Sequence, residues 1–153
     1  MLRLLAAIIL LALPLAAAEP AWVSRTWQTE DGLLNNDVSG VAQAGDGAMF
    51  AATQRGLSRF DGLRWREVPT DVPGHTGRSV TGLLTTQDGT LWMVTRSVLV
   101  SRCPGEPQRV LEMPVVDAPG GRVTAFFEEP GGVIWISFEG GRLHRIEKGR
   151  IEQ

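Results

Sequence analysis

The sequence predicts an all-β protein, an incomplete β-propeller of about three four-stranded antiparallel blades. Three similar segments, residues 38–42 (VSGVA), 80–84 (VTGLL) and 123–127 (VTAFF), begin 42 and 43 residues apart. A period near 40 residues indicates a repeat architecture. The 18 Gly and 9 Pro residues are spread along the chain, and no stretch keeps apolar residues at helical spacing. Helical repeats of similar period are therefore disfavoured.

Residues 1–18 have the features of a secretory signal peptide. Arg3 precedes the apolar run 4–13, and alanines at 16–18 supply the small residues that a signal peptidase recognises. The uncharged stretch, residues 4–18, is shorter than the ~20 residues that a membrane span needs. We expect cleavage after Ala18 and export to the periplasm of a mature chain, residues 19–153, that forms the partial propeller.

Charge and cysteine content exclude two further classes of protein, nucleic-acid-binding proteins and disulfide-stabilised domains. The 15 Lys+Arg residues are balanced by 17 Asp+Glu residues, so no basic surface for nucleic acid is expected. Cys103 is the single cysteine, which excludes an internal disulfide. Its place near a strand end favours a small, half-buried apolar role over a reactive thiol.

Each repeat predicts the same first three strands, and a fourth strand follows in the first two copies, at residues 65–68 and 110–113. The first strand starts at the repeated valine and leads to a Gly-containing dipeptide, Asp46-Gly47 in the first copy, which predicts a two-residue type I′ hairpin turn. The second strand carries an aromatic residue twelve positions after the valine, at Phe50, Trp92 and Trp135. We expect these rings to pack between blades. With the third and fourth strands, the repeat cores span residues 38–68, 80–113 and 123–149.

Three stretches resemble the two-component regulator propeller repeats: residues 27–38 (WQTEDGLLNNDV), 56–62 (GLSRFDG) and 88–95 (DGTLWMVT). The resemblance covers most of residues 22–149 and is looser in the third copy, where Ser137-Phe138 replaces the usual Gly-Thr. It implies the periplasmic sensor of a two-component signal transduction system, joined in relatives to a histidine kinase or a diguanylate cyclase. Propellers typically have four to eight blades. We therefore expect a member or segment whose ring is closed by remaining blades or by another chain.

Catalytic groups are sparse in the sequence. Glu128 and Glu129 are adjacent, so on a strand their side chains point to opposite faces and cannot act as an acid and base pair. His75 and His144 have no Cys or His at metal-ligand spacing and are expected at the surface. We predict no enzymatic activity in this chain, no metal and no cofactor, and we assign the kinase or cyclase activity of relatives to another module.

Loops gathered at one end of the blades are the predicted ligand-binding surface, because scaffolds commonly place function on such loops. Their donors and acceptors suit an anionic or polyhydroxylated ligand, such as an oligosaccharide. For each residue, ordinary turn formation or solvation is the alternative role. The candidate residues are Asn35, Asn36, Asp37, Arg55, His75, Arg78, Arg96, Arg122, Glu139 and Arg142.

Two further functions are open at this point. The chain could be a stand-alone periplasmic interaction module in which two copies complete a ring of about six blades. It could instead be a propeller-type polysaccharide lyase or glycosidase, in which case Glu139 or His75 is expected to be essential.

Overall fold

The computed structural model describes residues 22–70, 72, 79–96, 98–103, 105–113 and 122–152. Three four-stranded antiparallel sheets form there, each built from consecutive strands, as the repeats predict. The chain is all-β and is an incomplete β-propeller of about three blades. None of the described segments forms a helix with the length and apolar character needed to span a bilayer. The predicted signal peptide lies outside the described residues.

The three blades have the following strands. Blade 1 contains β1 (Val38–Gln43), β2 (Met49–Thr53), β3 (Gly56–Phe60) and β4 (Trp65–Val68). Blade 2 contains β5 (Val80–Thr85), β6 (Leu91–Thr95), β7 (Val98–Arg102) and β8 (Arg109–Glu112). Blade 3 contains β9 (Val123–Glu128), β10 (Ile134–Phe138), β11 (Arg142–Glu147) and β12 (Arg150–Glu152). The innermost strands β1, β5 and β9 lie side by side.

The blades pack face to face through two apolar clusters. Each blade has a back face toward the preceding blade and a forward face toward the following one. Leu57 on the forward face of blade 1 joins Met93 on the back face of blade 2. Leu99 on the forward face of blade 2 joins Ile136 on the back face of blade 3. Met93 and its neighbour Val94 are 1% and 0% exposed and belong to different clusters, so blade 2 is covered on both faces.

The repeated aromatic positions confirm the predicted packing role in two blades. Phe50 packs against the cluster between blades 1 and 2, and Trp92 packs against the cluster between blades 2 and 3. Trp135, at the same position of blade 3, is half-buried. Burial of a large ring is a main source of interface stability, and this explains why the position is aromatic in every copy.

The outer faces of the described blades carry copies of the same interface that are covered only in part. Leu57, Leu99 and Leu143 occupy equivalent positions, yet they are 0%, 0% and 52% exposed. On the back faces, Leu83 of blade 2 is 8% exposed, whereas the equivalent Val41 of blade 1 is 61% exposed. The difference arises because blade 2 has a neighbour on each side, while Leu143 and Val41 face outward.

A close approach between inner strands explains a glycine at the third position of the repeat. A Cβ built on Gly82 would lie 3.1 Å from the Val123 side chain of blade 3, which is tight for a real contact. Ala125 holds the same position in blade 3 and is exposed. The position is therefore a glycine in blade 2, where the next inner strand lies close, and an alanine in blade 3, where no described strand follows.

The segment before blade 1 packs across the back face of that blade. A 3-10 turn, Thr29–Asp31, is followed by Gly32 with a φ of 95° and then by buried Leu33. Leu33 forms a small cluster with Ala51 of β2 and Trp65 of β4. This contact fixes the direction in which the chain enters β1.

The predicted type I′ geometry of the Asp-Gly turns is wrong. The Gly47 N–H donates to the Ala44 carbonyl (2.9 Å) and the Ala44 N–H donates to the Ala48 carbonyl (2.8 Å), which closes a three-residue loop. Gly47 has a φ of 83°, whereas Asp46 has no positive φ. Asp46 Oδ1 instead accepts from the Ala48 N–H (2.9 Å). A three-residue loop needs only one left-handed residue, and the aspartate is used as an acceptor.

Blade 3 ends with a hairpin that the sequence analysis did not identify. Lys148 and Gly149 have φ values of 49° and 75° and connect β11 to the short strand β12. Glu147 pairs with Arg150 across this two-residue loop. The two positive φ values are those that a type I′ turn requires, so this turn type occurs here rather than at the Asp-Gly dipeptides.

His144 is buried, which contradicts the predicted surface position. Its side chain is 2% exposed and meets the Phe138 ring edge-on, with ring centroids 5.5 Å apart. It lies on β11 opposite Ile136, whose side chain belongs to the cluster between blades 2 and 3. The equivalent residues Ser58 and Val100 are also buried. Strand alternation places this position on the back face in each blade, whatever its polarity.

Candidate functional site

The candidate site is a cleft at the end of the blades where the second strand turns into the third and where the chain enters the first strand. This end is called the loop end below. In blades 1 and 2 the turn at the loop end is held by a threonine. Thr53 Oγ1 donates to the Gly56 carbonyl (2.9 Å) and Thr95 Oγ1 donates to the Val98 carbonyl (3.1 Å). Fixed turns hold the residues that follow each threonine, Gln54 and Arg96, at the mouth of the cleft.

The cleft has a volume of about 240 Å³ and is contributed by all three blades. Four repeat positions supply it: the residue before the opening valine, the valine itself, the residue after it, and the residue after the second strand. The lining residues are Asp37, Ser39, Gln54, Ser79, Val80, Thr81, Arg96 and Arg122.

The Asp37 carboxylate is oriented by its neighbours in blade 1. Gln54 Nε2 donates to Asp37 Oδ2. The backbone N–H of Asp37 donates to Asn35 Oδ1 (2.6 Å), and the N–H of Thr29 donates to Asn36 Oδ1 (2.9 Å). The two asparagines therefore shape the loop that presents Asp37, which is the turn role considered from the sequence.

Two hydroxyl groups of the cleft hold the inner strands in place. Ser39 Oγ lies 2.6 Å from the Val80 carbonyl of blade 2, and 3.3 Å from the Ala52 carbonyl of its own blade. Thr81 Oγ1 donates to the Val94 carbonyl at 3.3 Å. The floor of the cleft is thus fixed by hydrogen bonds across and within blades.

Arg96 and Arg122 give the cleft its positive charge. Both side chains are exposed, and neither forms an ion pair or a side-chain hydrogen bond with another residue in the described part of the chain. The Arg122 carbonyl accepts from the Glu139 N–H at 2.8 Å, which fixes the backbone below that guanidinium. A guanidinium carries five donors in a planar fork and suits carboxylate or phosphate groups.

The structure brings together three of the predicted binding residues, Asp37, Arg96 and Arg122. Five others lie at the loop end but outside the cleft lining: Asn35, Asn36, Arg55, Glu139 and Arg142. His75 and Arg78 lie outside the described residues.

Sequence reasoning missed four polar residues of the cleft. They are Ser39, Gln54, Ser79 and Thr81. A signal for Ser39, Ser79 and Thr81 was present, because positions that border the repeated valine occur in every copy and must meet around the inner strands. Small hydroxyl side chains in strands attract less notice than charges, and their carbonyl partners lie in other strands.

The opposite end of the blades carries a larger groove between blades 2 and 3, with a volume of about 840 Å³. Trp92, Leu111 and Lys148 are among its lining residues. Asp88 lies there too, and its Oδ1 accepts from Thr86 Oγ1 (2.6 Å) and from the Thr90 N–H (2.9 Å). These bonds, that of Thr86 above all, hold the pKa of the Asp88 carboxyl below its usual value. Asp88 is therefore used in turn formation.

Metal-ligating residues do not cluster in the described ranges. No group of three His, Cys, Asp or Glu side chains there could hold a metal ion.

Comparison with known proteins identifies the class of fold. No protein family and no curated protein matches the sequence. Among solved structures, the extracellular domain of the hybrid two component system BT3049 from B. thetaiotaomicron is 20% identical, with a TM-score of 0.65 over 84% of this chain and 20% of that one. The extracellular domain of the one component system BT4673 from the same organism is 16% identical, with a TM-score of 0.67 over 84% and 18%.

An enzyme shares the fold as well. Virginiamycin B lyase from Staphylococcus aureus is 20% identical, with a TM-score of 0.58 over 76% of this chain and 40% of the lyase. The chain therefore spans about a fifth of the length of the two extracellular domains and two fifths of the lyase. At these identities the similarities establish the propeller fold, which hosts both kinds of protein.

Proposed function

We propose that this chain is a ligand-sensing β-propeller, or part of one, of an extracytoplasmic two-component signalling system. The observation that carries the proposal is the loop-end cleft, which residues of three blades line. Its lining includes an oriented carboxylate and two guanidinium groups that have no ion-pair partner among the described residues. The fold shared with the extracellular domain of one such system, BT3049, supports it. The ligand is an extracytoplasmic molecule such as an oligosaccharide, recognised through charged and hydrogen-bonding groups.

The proposal includes export and partners. Residues 1–18 direct the chain to the periplasm, and the signal passes to a histidine kinase or diguanylate cyclase module outside the chain. Further blades, from additional sequence or from another chain, cover the exposed Val41 and Leu143 faces and complete the ring. These faces have the pattern of blade interfaces, which supports a continued stack of sheets.

A ligand screen tests the sensing function. The mature chain is heated with a panel of neutral and acidic oligosaccharides, and a ligand that binds the folded state raises the unfolding midpoint. We expect one chemical class to raise it and to be recovered unchanged after prolonged incubation, because a sensor binds without turnover.

Arg64→Gln is the control variant, because Arg64 lies in the turn between β3 and β4 at the opposite end of blade 1. It should keep the midpoint shift. A cleaved ligand would instead support the lyase or glycosidase alternative, and a panel without any shift would contradict the sensing proposal.

Self-association is a second candidate function, favoured by the matching apolar faces at the two sides of the described blades. Phe127 and Leu143 on the forward face of blade 3 are each 52% exposed, and Val41 on the back face of blade 1 is 61% exposed. Two copies joined by these faces would place about six blades in one ring. Light scattering of the mature chain should then give twice the monomer mass at micromolar concentration. A monodisperse monomer would contradict this function.

A further inference from the structure

We propose that the loop-end cleft recognises a hydroxylated carboxylic acid, such as a sugar acid, through Arg96 and Arg122 on its carboxylate and Asp37 on a hydroxyl group. This inference rests on the proposed function and narrows it to one ligand class. It concerns the part of the cleft that borders the opening valines, where residues of all three blades converge.

The cleft contains two positive charges that form no ion pair with a described residue. Arg59 and Arg66 of blade 1 pair with aspartates, at 3.5 Å from Asp46 and 2.6 Å from Asp61. Arg96 has no such partner among the described residues, and the same is true of Arg122. Two like charges in one cleft repel each other, and an oxyanion between them removes the repulsion while accepting charge-assisted hydrogen bonds.

One carboxylate, that of Asp37, is among the lining residues of the same cleft. Asp37 would repel a simple anion, so an oxyanion site alone does not explain its presence. Gln54 donates to one oxygen, Oδ2, and so fixes the orientation of the carboxylate. The remaining acceptor capacity of an ionised aspartate suits a hydroxyl donor. A ligand with both a carboxylate and hydroxyl groups satisfies the arginines and the aspartate together.

The size and rigidity of the cleft suit a small ligand. A volume of about 240 Å³ is suited to a monosaccharide unit rather than to a long chain enclosed throughout. The Ser39 hydroxyl donates to the Val80 carbonyl (2.6 Å) and so fixes the floor between blades 1 and 2. Because the floor is preformed, little ordering is required on binding.

The test compares galacturonate with galactose, which differ at the carboxylate, and with inorganic sulfate, which lacks the sugar hydroxyls. Titration calorimetry of the mature chain should show galacturonate bound at least about tenfold more tightly than galactose. Arg96→Gln and Arg122→Gln should each weaken galacturonate binding about tenfold. Arg64→Gln, an equal charge change in the turn between β3 and β4 at the opposite end of blade 1, should leave it within about twofold.

Asp37→Asn gives a result that a general loss of structure would not produce. It should weaken galacturonate binding, because a hydroxyl group loses its ionised acceptor, and tighten sulfate binding about threefold, because a negative charge is removed. Weaker binding of both ions would contradict the assigned role of Asp37. A uronate-ended oligosaccharide that binds more tightly than free galacturonate would identify a glycan chain end as the source of the acid.

Failure of this inference is distinguishable from failure of the proposed function. Equal affinity for galacturonate and galactose, with loss of both in Arg96→Gln, would overturn the acid and leave a sensing cleft for neutral sugars. Sulfate and galacturonate bound equally, with the same response to Asp37→Asn, would mean an adventitious ion only. If none of the three probes binds the cleft, the proposal of a hydroxylated carboxylic acid as ligand is again contradicted. The oligosaccharide panel then still decides the sensing function.

Discussion

Leu99→Ala should lower the free energy of unfolding by about 3 kcal/mol, the usual cost of a cavity at a fully buried leucine. Leu99 is 0% exposed between blades 2 and 3, in contact with a cluster that includes Ile136. Leu143→Ala, at the equivalent position on the outer face of blade 3, should cost less than about 1 kcal/mol. Chemical denaturation followed by circular dichroism and tryptophan fluorescence measures both changes.

The pair of leucine variants also reports on what covers blade 3 in solution. Both residues are leucines at the same position of the repeat. The difference between the two losses of unfolding free energy therefore measures burial by the next blade. Leu143→Ala as costly as Leu99→Ala would show that the outer face is covered, and a dependence of that cost on protein concentration would assign the cover to a second copy.

Gly32→Ala, in the segment before blade 1, should lower the free energy of unfolding by about 3 kcal/mol or more. A Cβ at this position would lie 2.2 Å from the Trp65 carbonyl oxygen, a backbone atom that a side-chain rotation cannot move away. Removing this clash requires a shift of the segment that carries Leu33. The Leu33 side chain is buried against Ala51 and Trp65, so the shift would disturb this contact. Equilibrium denaturation gives the loss, and fluorescence of Trp65 gives the local displacement.

Gly62→Ala is the matched control for the backbone angle. Gly62 has the same φ, 95°, and no atom lies within 4 Å of a Cβ built there. Its substitution should cost about 1 kcal/mol, the strain of a left-handed alanine alone. Equal losses at Gly32 and Gly62 would contradict the collision with Trp65 and leave the φ angle as the whole cause.

The strand pattern and the packing role of the aromatics were predictable from the sequence, whereas turn geometry and burial at single positions were not. The period of 42 and 43 residues brings Phe50 and Trp92 to the same place in successive sheets, and the structure confirms it. The burial of His144 was predicted wrongly, because the neighbours Leu143 and Arg145 do not indicate which face of the strand is covered. The Asp46-Gly47 turn was misjudged because a dipeptide does not reveal loop length.

The candidate site was predictable only in part, because some of its residues depend on contacts between strands. Charged residues at loop positions, Arg96 and Arg122, were evident along the chain, and both line the cleft. Ser39 and Thr81 were not, because their contribution depends on carbonyl groups of neighbouring strands. Arg55, by contrast, is charged and exposed at the same end and does not reach the cleft.

By itself, the sequence determined that the chain forms repeated antiparallel sheets. The spacing of the repeated residues, the placement of glycines and the apolar runs are local properties that occur in each repeat. The tertiary structure decided which copy of each repeated residue is buried. Leu99 and Leu143 are alike in sequence context, but only Leu99 has a blade against it. It also decided which polar groups meet, since the distance between Asp37 and the residues of blades 2 and 3 depends on how the sheets stack. Burial and convergence arise from neighbours that a single repeat does not contain.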